Sequence, residues 1–211
     1  MTVIELAFPV MGLALPEDNG YGLYAAVSRA LDDHLPENIA VASIGGPRLG
    51  NWRIGVTRET RLRLRTPADQ IGGLLPLAGK YLDVGGHEIG LGIPEVRALT
   101  PAAELAARLV TIKGFTEPEP FMEAVARQLE ALGVSGLATI PVVPGGGRKG
   151  LPQRRVVRIK DRFVVGFAVQ IAGLSEKDSL TLQTQGLGGR RHMGCGIFVP
   201  SRGTPEAGHV V

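Results

Sequence analysis

The chain has 211 residues, 44% of them hydrophobic and 20% charged, which suits one large or two small folded domains and argues against disorder. Its single cysteine, Cys195, excludes an internal disulfide and a cysteine-based metal cluster, and fits a reducing compartment. The net charge of +3 is uneven, because residues 1–103 carry 9 Lys/Arg against 11 Asp/Glu, whereas residues 104–211 carry 14 against 9. The second half is therefore a candidate surface for a polyanion.

The first half has the pattern of alternating strands and helices. In chain order, it predicts a strand Val3–Phe8, a helix Tyr21–Leu35 ended by Pro36, strands Ile39–Ile44 and Trp52–Val56, the latter in a hairpin with Arg61–Arg65, a short helix from Pro67 toward Leu77, and a strand His87–Val96. Strict alternation in Arg61–Arg65 puts leucines on one face and arginines on the other. The apolar run Val3–Leu15 is too short to span a bilayer, so we expect a cytoplasmic protein without a membrane partner.

The second half gives the same order of elements. It predicts a strand Ala106–Ile112, a helix Pro120–Leu132 with Pro118 in its first turn and Gly133 at its end, a hairpin of Arg155–Ile159 and Phe163–Ile171, a helix capped by Ser175 and reaching about Gln183, and a strand Ile197–Val199. The order βαββαβ, given twice, predicts an α+β fold with two tandem ferredoxin-like domains, residues 1–100 and 101–211.

Glycines and basic residues combine in the loop 186–196, GLGGRRHMGCG, before the last strand. The glycines, among them Gly186, Gly188 and Gly189, allow close approach of the backbone and could point N–H groups at an anion. Positive charge is added at the same place by Arg190, Arg191 and His192. The loop lacks the Gly-Lys-Ser/Thr of a phosphate-binding P-loop. The alternative is a surface turn with solvated charges.

A second basic segment, Arg148–Arg162, holds seven Lys/Arg and one acidic residue. Its candidate phosphate contacts are Arg148, Lys149, Arg154, Arg155, Arg158 and Lys160. A charge run is often only a solvated face, but this one lies in the same half as the glycine-rich loop. The arginine face of Arg61–Arg65 raises the same question in the acidic half.

No histidine pair has metal-ligand spacing, so we predict no metal site and no cofactor, and a nuclease here would work by general acid–base catalysis. His34 continues the apolar face of the first helix, and Tyr21 and Tyr24 at its start could supply a hydroxyl. The residues alone favour a partly buried structural histidine at a helix end for His34, and His192 in the glycine-rich loop is its rival as the catalytic group.

The segments Gly186–Pro200, Arg108–Phe121, Phe8–Gly12 and Gly20–Tyr24 resemble the CRISPR-associated repeat-processing endoribonucleases of the RAMP superfamily, in their compact myxan-type subfamily. The resemblance covers nearly the whole chain. It implies that the protein binds an RNA stem-loop and cuts at the 3′ base of the stem. It further implies attack by the neighbouring 2′-hydroxyl without metal, leaving a 2′,3′-cyclic phosphate and a 5′-hydroxyl.

The same resemblance implies site residues and partners. The family often has a histidine at or just after the first helix, the position of His34, with Tyr21 or Tyr24 as further catalytic candidates. The expected partners are the CRISPR repeat stem-loop, the mature guide RNA and other subunits of an effector complex. Two alternatives stay open: a non-catalytic RNA-binding subunit of such a complex, and a small-molecule enzyme or sensor on the same scaffold.

Overall fold

The computed structural model describes residues 2–32 and 35–201. Its helices are α1 Gly20–Ala30, α2 Ile71–Leu74, α3 Pro118–Ala131 and α4 Glu176–Gln185. Its strands are β1 Val3–Met11, β2 Ala14–Pro16, β3 Ala40–Val41, β4 Arg48–Gly50, β5 Arg53–Gly55, β6 Arg61–Pro67, β7 Tyr81–Asp83, β8 Glu88–Leu91, β9 Glu95–Ala98, β10 Glu104–Val110, β11 Leu137–Thr139, β12 Arg154–Ile159, β13 Arg162–Ala172 and β14 Phe198–Pro200.

The first antiparallel sheet is built around β1 and has the strand order β3-β6-β1-β8-β7, with β9 also paired to β1. On one edge of β1, β9 pairs with Ile4–Ala7 and β8 with Val10–Met11. The predicted single strand His87–Val96 is therefore wrong and is replaced by two. Pro94 lies between them and cannot donate a ladder hydrogen bond.

The second sheet has the order β11-β13-β10-β14, with β12 paired to β13. In both sheets the first and third strands of the βαββαβ unit are central, namely β1 and β6 in one and β10 and β13 in the other. The second and fourth strands flank them. This arrangement confirms the predicted α+β class and the ferredoxin-like order. The division into domains 1–100 and 101–211 stays a prediction.

A small third sheet, β2-β5-β4, lies outside the two repeats. The prediction that Trp52–Val56 forms a hairpin with Arg61–Arg65 is wrong, because β5 pairs with β2 and β4 while β6 pairs with β1 and β3. β4 and β5 are joined by a two-residue turn, Asn51-Trp52, in which both φ angles are positive (48° and 57°). The second residue of such turns is usually glycine. Because Trp52 occupies that position, the sequence pattern did not indicate a hairpin.

Two predicted elements of the first half are shorter than expected. The helix predicted over Tyr21–Leu35 begins at Gly20 and ends at Ala30, and Asp32 follows with a left-handed φ of 53°, a conformation that ends helices. The strand predicted at Ile39–Ile44 is reduced to Ala40–Val41. His34 lies outside the described residues. In the second half, Pro118 in the first turn of α3 and the Ser175 cap of α4 are confirmed.

Each sheet packs on its own helices. The first core contains Phe8, Leu23 and the alternating leucines Leu62 and Leu64, as predicted for β6. The second core contains Phe121 of α3 and Phe167 of β13, whose ring centroids lie 4.8 Å apart. Each of these two sheets, with the helices packed on it, thus forms one of two scaffolds, and each scaffold has its own hydrophobic core.

The side chain of Arg65 contacts both scaffolds. It is only 3% exposed, so the arginine face predicted for β6 is not wholly a surface. The guanidinium lies 3.6 Å from the Glu5 carboxylate and donates a hydrogen bond of 2.8 Å to the backbone carbonyl of Gln183 in α4. These two contacts offset only part of the cost of burial, because burial still lowers the pKa of Arg65 and its Nε has no hydrogen-bond partner.

Candidate functional site

The glycine-rich loop, residues 186–196, packs its backbone against the end of β10. A Cβ on Gly186 would overlap the carbonyl oxygen of Gly196, and one on Gly188 would overlap the carbonyl oxygen of Thr111. Both glycines also have positive φ, 67° and 70°. These glycines therefore serve close packing and backbone conformation.

Most backbone N–H groups of the glycine-rich loop donate hydrogen bonds to acceptors within the protein. The N–H of Gly186 donates to the Leu182 carbonyl, that of Gly188 to the Gln128 side-chain oxygen and that of Gly189 to the Thr111 carbonyl. The expectation that these glycine N–H groups face an anion is therefore wrong. The backbone bonds fix the shape of the loop, and any anion contact would fall to its side chains.

The loop also docks on the start of α1. A Cβ on Gly20 would overlap the carbonyl oxygen of Met193, and one on Gly194 would overlap the hydroxyl of Ser43. The buried side chain of Asn19 fixes this end of the helix, because it donates to the carbonyls of Pro16 and Ile44 and accepts from the Ile44 N–H. The start of α1 and the glycine-rich loop are thus held in backbone contact.

The docking brings His192 against Tyr24. Their ring centroids are 4.7 Å apart at an interplanar angle of 58°, and Tyr21 stands 6.3 Å from Tyr24. Partial burial lowers the pKa of His192; Glu37 opposes this shift and Arg190 adds to it. Burial therefore favours the neutral imidazole, which is the form that can accept a proton.

The tip of the β12–β13 hairpin faces the two tyrosines of α1 across a groove of about 600 Å³, and the groove lining includes Met193 but not its neighbour His192. Tyr21 and Tyr24 line one side, and Lys160 and Arg162 the other, with Met193 between them. The groove thus joins predicted catalytic candidates from the first half to a predicted phosphate contact from the second.

Arg191 differs from its predicted surface role. It is largely buried, its Nε has no hydrogen-bond partner, and it shares a small cavity with Arg65. Burial lowers the pKa of Arg191 to about 10, and the positive charge of Arg65 contributes. Its neighbour Arg190 adopts a left-handed φ of 63°.

A larger cavity of about 690 Å³, called the arginine cleft below, separates the β12–β13 hairpin from the β2–α1 and β4–β5 turns. It contains three predicted contacts, Arg154, Arg155 and Arg158. Burial lowers the pKa of Arg155, and the charge of Arg108 lowers it further. The cleft is therefore rich in positive charge that protein carboxylates do not fully balance.

The sequence reasoning missed several residues of this region. The cleft is also lined by Arg108, Trp52 and Phe163, and Arg48 joins Arg148, Arg154 and Arg155 around an adjoining groove of about 570 Å³. Lys149 is exposed next to Arg148. A run of basic residues signals only neighbours in sequence, whereas Arg48 and Arg108 reach the surface from strands far apart along the chain.

Two features are absent from the part of the chain that the structure describes. Over residues 2–32 and 35–201, no three His, Cys, Asp or Glu side chains are grouped so that they could hold a metal ion. None of the helices in those ranges is long and apolar enough to cross a membrane.

Comparison with known proteins places the chain in a family. The family described as Cas6 Crispr matches residues 4–203. The chain belongs to the Cas6 family. A CRISPR-associated endonuclease Cas6 of Myxococcus xanthus (strain DK1622) is 43% identical over 201 residues, which cover 95% of this chain and 82% of the relative. The resemblance and the expectation of a CRISPR-associated endonuclease are therefore confirmed at the level of the Cas6 family.

Solved structures share the fold. A CRISPR-associated protein Cas6 superposes with a TM-score of 0.62 at 11% identity, covering 95% of this chain and 99% of the other. A Cas6-related protein from Pyrococcus furiosus gives 0.65 at 10% identity, covering 96% and 99%. A RAMP protein binding different RNA substrates gives 0.60 at 14% identity, covering 94% and 99%. The Cas6 fold thus extends over nearly the whole chain.

Adjacent glycines in the loop provide a matched test of its packing. Gly188→Ala should lower the free energy of unfolding by about 2 kcal/mol or more, because it adds a Cβ against the Thr111 carbonyl in a left-handed conformation. Gly189→Ala, with open space around its Cβ, should stay within about 0.5 kcal/mol of the wild type. Urea unfolding of both variants measures the difference, and equal losses would contradict the packing described here.

The pKa of His192 can be measured by NMR titration. We expect a value below the usual 6.5 or so, because burial penalises the charged ring. Tyr24→Ala should raise the pKa toward that usual value by letting water reach the imidazole. His192→Gln assigns the signal among the chain's histidines. A wild-type pKa at or above the usual value would show that the ring is not desolvated.

Proposed function

We propose that this chain is an endoribonuclease that binds CRISPR repeat hairpins in precursor guide RNA and cleaves them without metal. The observation that carries the proposal is the docking of the glycine-rich loop on α1, which brings His192 to Tyr24 beside an arginine cleft. Family membership supports it, because the Myxococcus relative is an endonuclease. A structural neighbour that binds RNA substrates agrees with it.

The proposed reaction is an attack by a ribose 2′-hydroxyl on the adjacent phosphate. The 2′-oxygen loses its proton to a base and forms a bond to phosphorus, while the bond from phosphorus to the 5′-oxygen breaks and that oxygen gains a proton. The products are a 2′,3′-cyclic phosphate and a 5′-hydroxyl. Lys160 and Arg162 across the groove outnumber the Asp161 carboxylate between them and would supply positive charge for the developing pentacoordinate phosphate.

The proton transfers are assigned to two histidines and two tyrosines of the chain. We retain His34 as the principal acid–base group on the resemblance to the family, with Tyr21 and Tyr24 as hydroxyl partners. His192 is the second candidate, since a neutral imidazole beside Tyr24 can act as a base. Glu37, three residues after His34 in the chain, influences the pKa of His192.

The basic surface would hold the stem of the hairpin. Double-stranded RNA hides its base edges in a deep, narrow major groove, so proteins recognise its shape and phosphates. The proposed phosphate contacts are Arg148, Lys149, Arg154, Arg155, Arg158, Lys160 and Arg190. After cleavage, the protein would keep the stem of the mature guide RNA and join other subunits of an effector complex.

Single-turnover cleavage of the cognate repeat RNA in excess chelator tests the proposal. Wild-type protein should cut the hairpin and leave a 2′,3′-cyclic phosphate. His34→Ala should slow cleavage by about 10²–10⁴-fold because it removes a proton-transfer group, while RNA affinity changes by no more than a few-fold. Substrate with a 2′-deoxyribose at the cut site should stay intact.

The matched control is the His87→Ala variant, which lacks a histidine in the turn between β7 and β8. This variant should cleave the RNA at the wild-type rate. If His192→Ala abolishes cleavage and His34→Ala does not, the acid–base role belongs to His192. If the hairpin binds tightly but stays intact at every pH, the chain is a binding subunit and the proposed activity is wrong.

A further inference from the structure

Two aromatic side chains on the wall of the arginine cleft are exposed without a packing role. Trp52 is 85% exposed and Phe163 is 71% exposed, and both line the same cavity. They come from different halves of the chain: Trp52 from the β4–β5 turn and Phe163 from β13. Burial of large aromatic rings normally contributes to the core, so two rings left in solvent at one cleft indicate a surface that a ligand covers.

Trp52 lies in a turn with an unusual backbone conformation. Its φ of 57° is left-handed, a conformation that is unusual for a bulky residue and is more readily adopted by glycine. The turn is anchored by a hydrogen bond of 2.7 Å from the Glu17 N–H to the Trp52 carbonyl. Folding alone does not account for a tryptophan in that place.

The charge around the two rings favours an anionic ligand. Arg154, Arg155 and Arg158 line the cleft, and Phe163 is the direct cross-strand neighbour of Arg158. Two carboxylates also line it, but both already have partners. The Glu17 carboxylate lies 2.7 Å from the Arg48 guanidinium, and Asp18 accepts a hydrogen bond of 2.8 Å from the Arg158 backbone N–H.

We infer that the arginine cleft binds unpaired nucleotides of the RNA, with bases stacked on Trp52 and Phe163 and phosphates held by the arginines. The inference rests on the proposed function for its substrate and adds to it a single-stranded segment beside the hairpin. The cavity of about 690 Å³ lies within the size range of small-ligand sites.

The rings favour unpaired over paired RNA. In a duplex, each base face is covered by the next base pair, whereas unpaired bases offer their faces to aromatic side chains. Stacking on aromatic rings tolerates any base, so the cleft would bind a flanking segment without strict sequence preference. The stem and the unpaired flank would thus be held by different chemistry on adjoining surfaces.

Trp52 is the chain's only tryptophan, so intrinsic fluorescence reports on this site directly. The probes are an oligoadenylate of about eight nucleotides and an abasic oligomer of the same length, each titrated into the full chain. The oligoadenylate should quench the emission to saturation. The abasic oligomer, which keeps the phosphates and lacks the bases, should leave it nearly unchanged.

Affinities from labelled RNA then test the two rings. Trp52→Gly, which suits the left-handed turn and preserves the fold, and Phe163→Leu should each weaken oligoadenylate binding about tenfold, with little effect on the abasic oligomer. Tyr81→Ala is the control, because Tyr81 is also 71% exposed but lies outside the cleft lining. Thermal unfolding verifies that each variant is folded.

Emission that does not respond to oligoadenylate, or equal quenching by the abasic oligomer, would overturn the stacking site. So would folded Trp52→Gly and Phe163→Leu variants with wild-type affinity. Neither probe contains a cleavable hairpin, so a failure of the proposed nuclease activity would leave these results unchanged. Conversely, a cleaved hairpin with unquenched Trp52 would refute only the stacking site.

Discussion

The close backbone contact between α1 and the glycine-rich loop is the constraint on which the rest of the site depends. At Gly20 the helix approaches the Met193 carbonyl so closely that no side chain fits, and at Gly194 the loop touches Ser43 in the same way. This contact brings Gly20, near the start of the sequence, next to Met193, near its end. The Tyr24–His192 pair, the groove toward the hairpin tip and part of the arginine cleft all follow from this contact.

Positive charge at the site is assembled from both halves of a chain whose net charge is small. The hairpin arginines meet Arg48 and Arg108, which come from β4 and β10. Arg108 also donates a hydrogen bond of 2.9 Å to the Glu17 carbonyl, so it helps to join the scaffolds as well as to charge the cleft. Arg108 thus combines a structural contact with a proposed binding role, whereas the contacts of Arg65 are with Glu5 and Gln183 inside the protein.

Much of the fold could be predicted because its signals are local. Alternation in Arg61–Arg65, Pro118 in the first turn of α3 and Ser175 before α4 each specify their element within a few residues. The Asn51-Trp52 hairpin and the early end of α1 at Ala30 were missed, since left-handed residues other than glycine leave little trace in a sequence. The glycine-rich loop was found by composition, but its glycines pack the backbone instead of facing an anion, a distinction that only tertiary contacts reveal.

We propose that the RNA strand is broken where the glycine-rich loop meets α1. A structure of the full chain with repeat RNA blocked by a 2′-deoxyribose at the cut site tests it most directly. We expect the scissile phosphate in the groove between Tyr24 and the β12–β13 tip, with an imidazole of His34 or His192 about 3 Å from a reacting oxygen. A scissile phosphate on another face, beyond the reach of both histidines, would contradict it.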